Sequence, residues 1–381
     1  MKREMVTADT SKEIKVLSND IETLSDDIET LSNDIETLSN DIEVLPNDFE
    51  LIGGDPEAVV DSGFTSDSYW RDVRRRFFSN RGAVIALAFI LLIVLFAAFG
   101  PGMNQYSYKD QNLSQKNFAP RVPLLEQLGI LNGNEALKTT SGTKLINGYK
   151  DKDLPDVYYW FGSDTLGRDI WTRVWEGARI SLGIAIVSAL INMTLGMSYG
   201  LISGYFGGVT DSIMQRFAEI NNGIPRLVIV TLLLLILKPG FVTIVLALVI
   251  TDWISMSRIA RAEMLKLKEQ EFVLASRTLG ANHRTLIFGE VLPNIIGQVF
   301  TQLMFSIPTA IFTEAFLSFV GLGIPVPQCS LGSLINDAFN SFTTHPYQII
   351  PPILVLALLM LCFNILADGL REAFDPKLKE M

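Results

Sequence analysis

The sequence predicts an all-α integral membrane protein with six transmembrane helices. Three observations predict it. Residues 82–108, 180–210, 291–313 and 338–367 contain no Asp, Glu, Lys or Arg, and a charge-free run of about 18 or more residues is the mark of a membrane-crossing helix. Hydrophobic residues make up 49% of the chain and are gathered in these blocks rather than spread as in a soluble core. The basic residues cluster in segments that fall on one side of the membrane if the chain crosses six times.

The first element is an acidic tail. Residues 1–66 hold 4 basic and 17 acidic residues, a net −13, so the chain's −10 leaves +3 for the remainder. From Leu17 the tail repeats LSNDIET, LSDDIET, LSNDIET and LSNDIEV, then LPNDFEL. Its period of seven alternates Ile21, Ile28 and Ile35 with Leu24, Leu31 and Leu38, the seam of a coiled coil. The repeat also lacks any basic residue, is rich in Ser, Asn and Asp, and ends at Pro46, which favours a disordered or loosely helical tail. Both readings stay open. The first apolar run starts near residue 83, too late for a secretory signal peptide, so the tail is expected to be retained.

Residues 67–100 form a basic lead-in and span 1. Arg71, Arg74, Arg75, Arg76 and Arg81 are expected on the cytoplasmic side, with span 1 over about 83–100. Residues 101–179 form an extracytoplasmic segment, with no apolar run over 101–160. The core, 180–381, holds the other five spans. Span 2 is expected over about 180–201, followed by a turn at GYFGG, 204–208. The run 227–237 is too short to cross alone, so span 3 must extend back past Pro225, which can kink it. Spans 4, 5 and 6 are expected over about 241–257, 295–319 and 348–367. Both termini then lie in the cytoplasm, as does the basic segment between spans 4 and 5.

That segment contains EFVLASRTLGANHRTLIFGEVLPN, residues 271–294. Phe272, Ala275 and Leu279, with the earlier Leu265 and Leu267, indicate a helix ending near Leu279. Gly280 suits the left-handed position just past a helix end. Asn282 can cap a second helix carrying Leu286, Ile287, Val291 and Leu292, and Pro293 stands at the entry to span 5. The pattern is a helix–Gly–helix elbow at the membrane face. Its physics allows either a docking element or a hairpin that merely covers the ends of the spans.

Other residues carry less chemistry. His283 is expected on the elbow's surface and His345 in an outer loop. Two isolated His predict no metal site. Cys362 lies in an apolar run and Cys329 in a loop, too few cysteines for a disulfide framework. No catalytic set stands out, and no nucleic-acid partner is expected. Glu314 lies between apolar stretches, where a carboxylate is a candidate for function. Met193, Met197 and Met304 are further candidates for a pathway, with packing the simpler alternative.

The segment 271–293 resembles the EAA loop of ABC importer permeases. The matching positions are Leu274-Ala275-Ser276, Gly280 and Glu290-Val291-Leu292-Pro293. Leu274, Ser276 and Glu290 depart from the general pattern, but E-F-V-L-A-S-R-T-L-G-A resembles the peptide and nickel branch closely. FGSDTLGRDIWTRVWEGARISL (161–182), TEAFLSFVGLGIPVPQ (313–328) and DGLREAFDPKLK (368–379) resemble the same branch, so the likeness covers roughly residues 70–381. The position of the G-S-D-T-L-G-R-D motif after span 1 resembles the C-type subunit of dipeptide and oligopeptide systems. The acidic tail lies outside the family pattern.

The resemblance implies a type I importer permease fold and a cytoplasmic coupling loop over 262–292. It implies that the chain lines a translocation pathway for di- or oligopeptides with a second, B-type permease in the bacterial inner membrane. It also implies two ATPase subunits that bind ATP and Mg, and an extracytoplasmic substrate-binding protein. The chain itself has no Walker A loop, so it is expected to be a transport subunit without a cofactor, not an enzyme. ATPase contacts fall to Glu271, Ala275, Arg277, Gly280, Ala281 and Pro293. Asp164, Gly167, Arg168 and Asp169 fall at the outer surface, as a protein contact, a gate or a capped turn. Alternatives are a nickel or other small-solute importer of the same branch, a stand-alone secondary transporter, and a membrane anchor for the tail.

Overall fold

The computed structural model describes residues 69–139 and 142–374. The acidic heptad tail, Lys377 and Lys379 lie outside them. Helix α1 spans Tyr69–Ser79, and α2 spans Arg81–Phe99. Asn80 separates them: its side chain accepts from the Ala83 amide, and its amide donates to Glu372 at 2.7 Å. That bond ties the start of the first span to the end of the last. At the other end of α2, Arg179 Nε donates to the Ala97 carbonyl at 2.9 Å and Trp171 Nε1 donates to that of Gly100 at 2.9 Å. Helix ends leave carbonyls unpaired, and a membrane offers no water to satisfy them.

The segment after α2 carries a two-stranded antiparallel hairpin, β1 Glu135–Thr139 and β2 Gly142–Ile146, with Glu135 opposite Ile146. The sequence reading had placed no regular element there. Helix α3 then runs 37 residues, Ile170–Phe206. It starts ten residues before the expected start of span 2, because Asp169 caps it and Arg173, Glu176 and Arg179 are paired within the protein. Charges that read as a loop are therefore helical.

The segment expected to form the third crossing bends at the expected proline, and sharply. Helices α4, Gly208–Gly223, and α5, Arg226–Ile236, meet at 81° across Ile224 and Pro225. The residue before a proline is pushed out of the helical region, and Ile224 has ψ 123°. Helix α6, Phe241–Leu267, leads to α7, Glu271–Thr278, and then to α8, Leu292–Phe319. Helices α9, Leu331–Phe339, and α10, Ile350–Phe374, complete the described chain. Among the described residues, five helices are long and apolar enough to cross a membrane, and six crossings result if the bent pair counts as one.

Helices α3 and α6 approach each other closely. A Cβ on Gly196 would lie 2.3 Å from the Trp253 carbonyl oxygen, and one on Gly200 would lie 2.2 Å from that of Ser257. One on Gly204 would lie 2.9 Å from that of Arg261. Glycines at i, i+4 and i+8 share one helix face, and small residues are what let membrane helices approach. The main core holds Ile184, Ala185, Ile244, Leu248 and Ile311, all buried, where α3, α6 and α8 meet. Replacing Gly200 with Leu must push α3 from α6. We expect Gly200→Leu to destabilise the protein by about 1–3 kcal/mol, read as a lower thermal unfolding midpoint of the purified protein in detergent.

Candidate functional site

The elbow forms because local chemistry ends one helix and starts the next. Gly280 has φ +87°, a region that a residue with a Cβ enters at a cost. The Ala281 amide donates to the Ser276 carbonyl at 3.1 Å and the Gly280 amide to that of Arg277 at 3.1 Å, the double closure of a Schellman end. Asn282 Oδ1 then accepts from the Thr285 amide at 2.8 Å and its hydroxyl at 2.9 Å. The second arm, Thr285–Val291, is wound as a π-helix and runs straight into α8. Ser276 Oγ donates to Glu290 Oε1 at 3.1 Å and joins the two arms.

The elbow sits on a core of its own. Val273, Leu286, Ile287, Val291 and Ile295 pack with Leu201 of α3 and Met256, Ala260 and Met264 of α6. The first arm buries Val273, at 2% exposure. Phe272 is 40% exposed and Leu279 88%. Glu271, Ala275, Arg277, Gly280 and Pro293 are exposed, and Ala281 is half-buried. Five of the six residues expected to make the ATPase contact are therefore exposed, four on the elbow and Pro293 at the start of α8. His283 is also exposed, with Nδ1 2.7 Å from the Tyr205 hydroxyl. Behind the elbow, Asp211 of α4 takes a paired contact from Arg261 at 2.7 and 2.5 Å.

At the opposite ends of the helices, Asp164, Gly167, Arg168 and Asp169 come together, all buried. Asp164 Oδ1 accepts from the Leu166 and Arg168 amides at 2.9 Å each. Its Oδ2 accepts from Arg168 Nε and from an Arg173 guanidinium nitrogen, each at 2.6 Å. Both arginines reach Asp337 of α9, at 3.2 and 3.5 Å. Gly167 has φ +72°, and a Cβ there would lie 1.9 Å from the Asn112 carbonyl oxygen. Asp169 accepts from Thr172 and from Asn104 Nδ2, and burial pushes its carboxyl above the ordinary range against those bonds. Thr165 is the exposed residue at the tip of this turn. The sequence reading missed Arg173 and Asp337, which only the fold brings to Asp164.

Glu314 is fully buried. It accepts from Ser181 Oγ of α3 at 2.7 Å and from Ser318 Oγ at 2.6 Å. Ser181 Oγ also accepts from the Leu331 amide at the start of α9. These bonds hold α3, α8 and α9 together, and Glu314 does not reach water. Cys329, two residues before Leu331, is also buried, its thiol pushed up by burial. Met193 lines a cavity between α3, α6 and α8. Met197 and Met304 pack against the elbow core and the main core, and Met193 packs against both as well.

The chain is similar to known proteins over most of its length. Residues 196–380 match the family model of the binding-protein-dependent transport system inner membrane component. Residues 68–120 match that of the N-terminal transmembrane domain of oligopeptide transport permease C. The oligopeptide transport system permease protein OppC of Bacillus subtilis is 40% identical over 313 residues, 82% of this chain and 91% of that one. The dipeptide transport system permease protein DppC of Bacillus subtilis is 37% identical, over 82% of this chain and 87% of that one. The protein of the same name from Lactococcus lactis is 40% identical, over 82% and 92%.

The buried network around Asp164 makes a sharp expectation. Removing one carboxylate leaves two arginines without their nearer partner, and breaking a buried pair in this way costs about 3–5 kcal/mol. Asp164→Asn is expected to lower the unfolding midpoint well below that of Asp337→Asn, whose carboxylate is 43% exposed.

Proposed function

The chain belongs to the family of binding-protein-dependent transport system inner membrane components, and from that premise we propose that it is the C-type permease of an ATP-driven peptide importer. The observation that carries the proposal is the elbow, an exposed hairpin seated on the ends of α3, α6 and α8. The names of the relatives support di- or oligopeptides as the cargo. The chain serves transport rather than catalysis, and ATP with Mg binds to partner ATPases.

In this reading the chain divides into the acidic tail 1–66, the lead-in and first span 67–100, the extracytoplasmic segment 101–179 and the core 180–381. It lies in the bacterial inner membrane with both termini in the cytoplasm. A second permease completes the pathway. The loop 262–292 seats in an ATPase, through Glu271, Ala275, Arg277, Gly280, Ala281 and Pro293. ATP binding draws the two ATPases together and carries the elbow with them, biasing a packed element that has two arrangements. The turn Asp164–Asp169 faces the substrate-binding protein and presents Thr165, while its buried charges hold the shape of that surface.

The test uses the whole importer in proteoliposomes. Gly280→Pro forces φ from +87° to the proline value near −65° and breaks the elbow. Leu279→Asp changes only an exposed tip residue. Both variants are expected to insert in the membrane, lose co-purification with the ATPases and lose peptide uptake by about tenfold or more. Normal uptake by both variants defeats the coupling role of the elbow.

A further inference from the structure

A polar cavity of about 240 Å³ lies among the spans. Its wall carries Asn192 of α3, Asn222 and Arg226 from the two sides of the break, Asp252 and Ser255 of α6, and Gln302 of α8. Polar and charged groups within spans are expensive to keep there and mark routes for polar cargo. Arg226 pairs with Asp252 across the cavity's edge and donates to Thr313 Oγ1 at 2.8 Å. Asn192 is 5% exposed, and its Oδ1 has no hydrogen-bond partner among the described residues. A buried acceptor left unpaired is costly, so this amide is set for a donor that the described residues do not supply.

A second cavity, of about 360 Å³, shares Gln302 and Phe305 with the first. It continues along Ile259, Gln298, Thr301 and Arg371, towards the elbow ends of α6 and α8. The polar wall therefore runs from the break in the third crossing towards the elbow. One carboxylate, already paired with an arginine, is a poor nest for a metal ion. The wall instead offers amides, the Arg226–Asp252 pair and Arg371.

We propose that this cavity is a contact site for the peptide main chain during passage. Asn192, Asn222 and Gln302 present the donors and acceptors that a peptide group can meet in any sequence. Arg226 and Asp252, paired with each other, can exchange that pairing for a terminal carboxylate and a terminal ammonium. Such a site ignores cargo side chains, as a route for varied peptides requires. The inference rests on the peptide reading above.

The experiment measures uptake of tritiated trialanine by the complete importer in proteoliposomes. Asn192→Leu and Gln302→Leu are expected to cut maximal uptake about tenfold while binding-protein-stimulated ATP hydrolysis stays within about twofold of wild type. A purely structural defect would lower both. Gln302→Asn keeps the amide and is expected to restore much of the uptake. A Ser255→Cys variant supplies a second measurement that holds even if a Leu variant fails to assemble. Trialanine is expected to slow its labelling by a methanethiosulfonate reagent, and N-acetyl-trialanine amide, which lacks both charges, to slow it less. Trialanine uptake by the wild type with full uptake in both Leu variants, or with no protection of the introduced thiol, overturns this site and leaves the peptide reading standing. Failure of the wild type to take up trialanine overturns both.

Discussion

The approach of α3 to α6 through Gly196, Gly200 and Gly204 is the constraint on which the rest depends. Lipid is as apolar as a leucine side chain, so burying apolar surface does little to bring these helices together. Close packing and satisfied polar groups must do it. Leu201 lies between two of the glycines and is buried against Ala260 and Met264 in the core that carries the elbow. Ser203, one residue before Gly204, bonds Asp211, which Arg261 of α6 also grips. A side chain at any of the three glycines would displace the platform under the elbow as well as the helix pair itself.

The spans were legible in the sequence because the membrane imposes a simple rule. A charge-free block of sufficient length has nowhere else to go. The elbow was legible because its signals are local: Gly280 for a left-handed residue and Asn282 for a cap act within four residues of themselves. What escaped depends on partners distant in sequence. Arg173 reads as a charge ending a loop until Asp164 and Asp337 surround it. Arg226 reads as an interruption of an apolar run until Asp252 and Thr313 are seen to hold it. Heptad spacing has a counterpart in the four-residue spacing of Gly196, Gly200 and Gly204, a signal that was present and unread.

Two departures from the general loop pattern gain a physical reading together. Ser276 stands where the pattern has Ala, and Glu290 where it has Ile. Each alone looks like a loss of apolar packing. In the structure the hydroxyl donates to the carboxylate and joins the arms of the elbow. The apolar support is supplied instead by Val273 below the first arm and by Leu286, Ile287 and Val291 below the second. The two residues thus join the arms through a hydrogen bond, while the apolar support comes from other positions.

The path from the elbow to the broken crossing is short in structural terms. Helix α6 enters the elbow and α8 leaves it. The same two helices hold Arg226, α6 through Asp252 and α8 through Thr313. A proline at the break prevents α4 and α5 from fusing into one rod, so the side chains around Arg226 fix the angle between them. Any relative shift of α6 and α8 therefore acts on Arg226 as well as on the elbow. Packed contacts of this kind tend to exchange between discrete arrangements rather than deform smoothly. An elbow placed at the junction of α6 and α8 is in the position from which a partner's movement can reach a charge pair set among the spans.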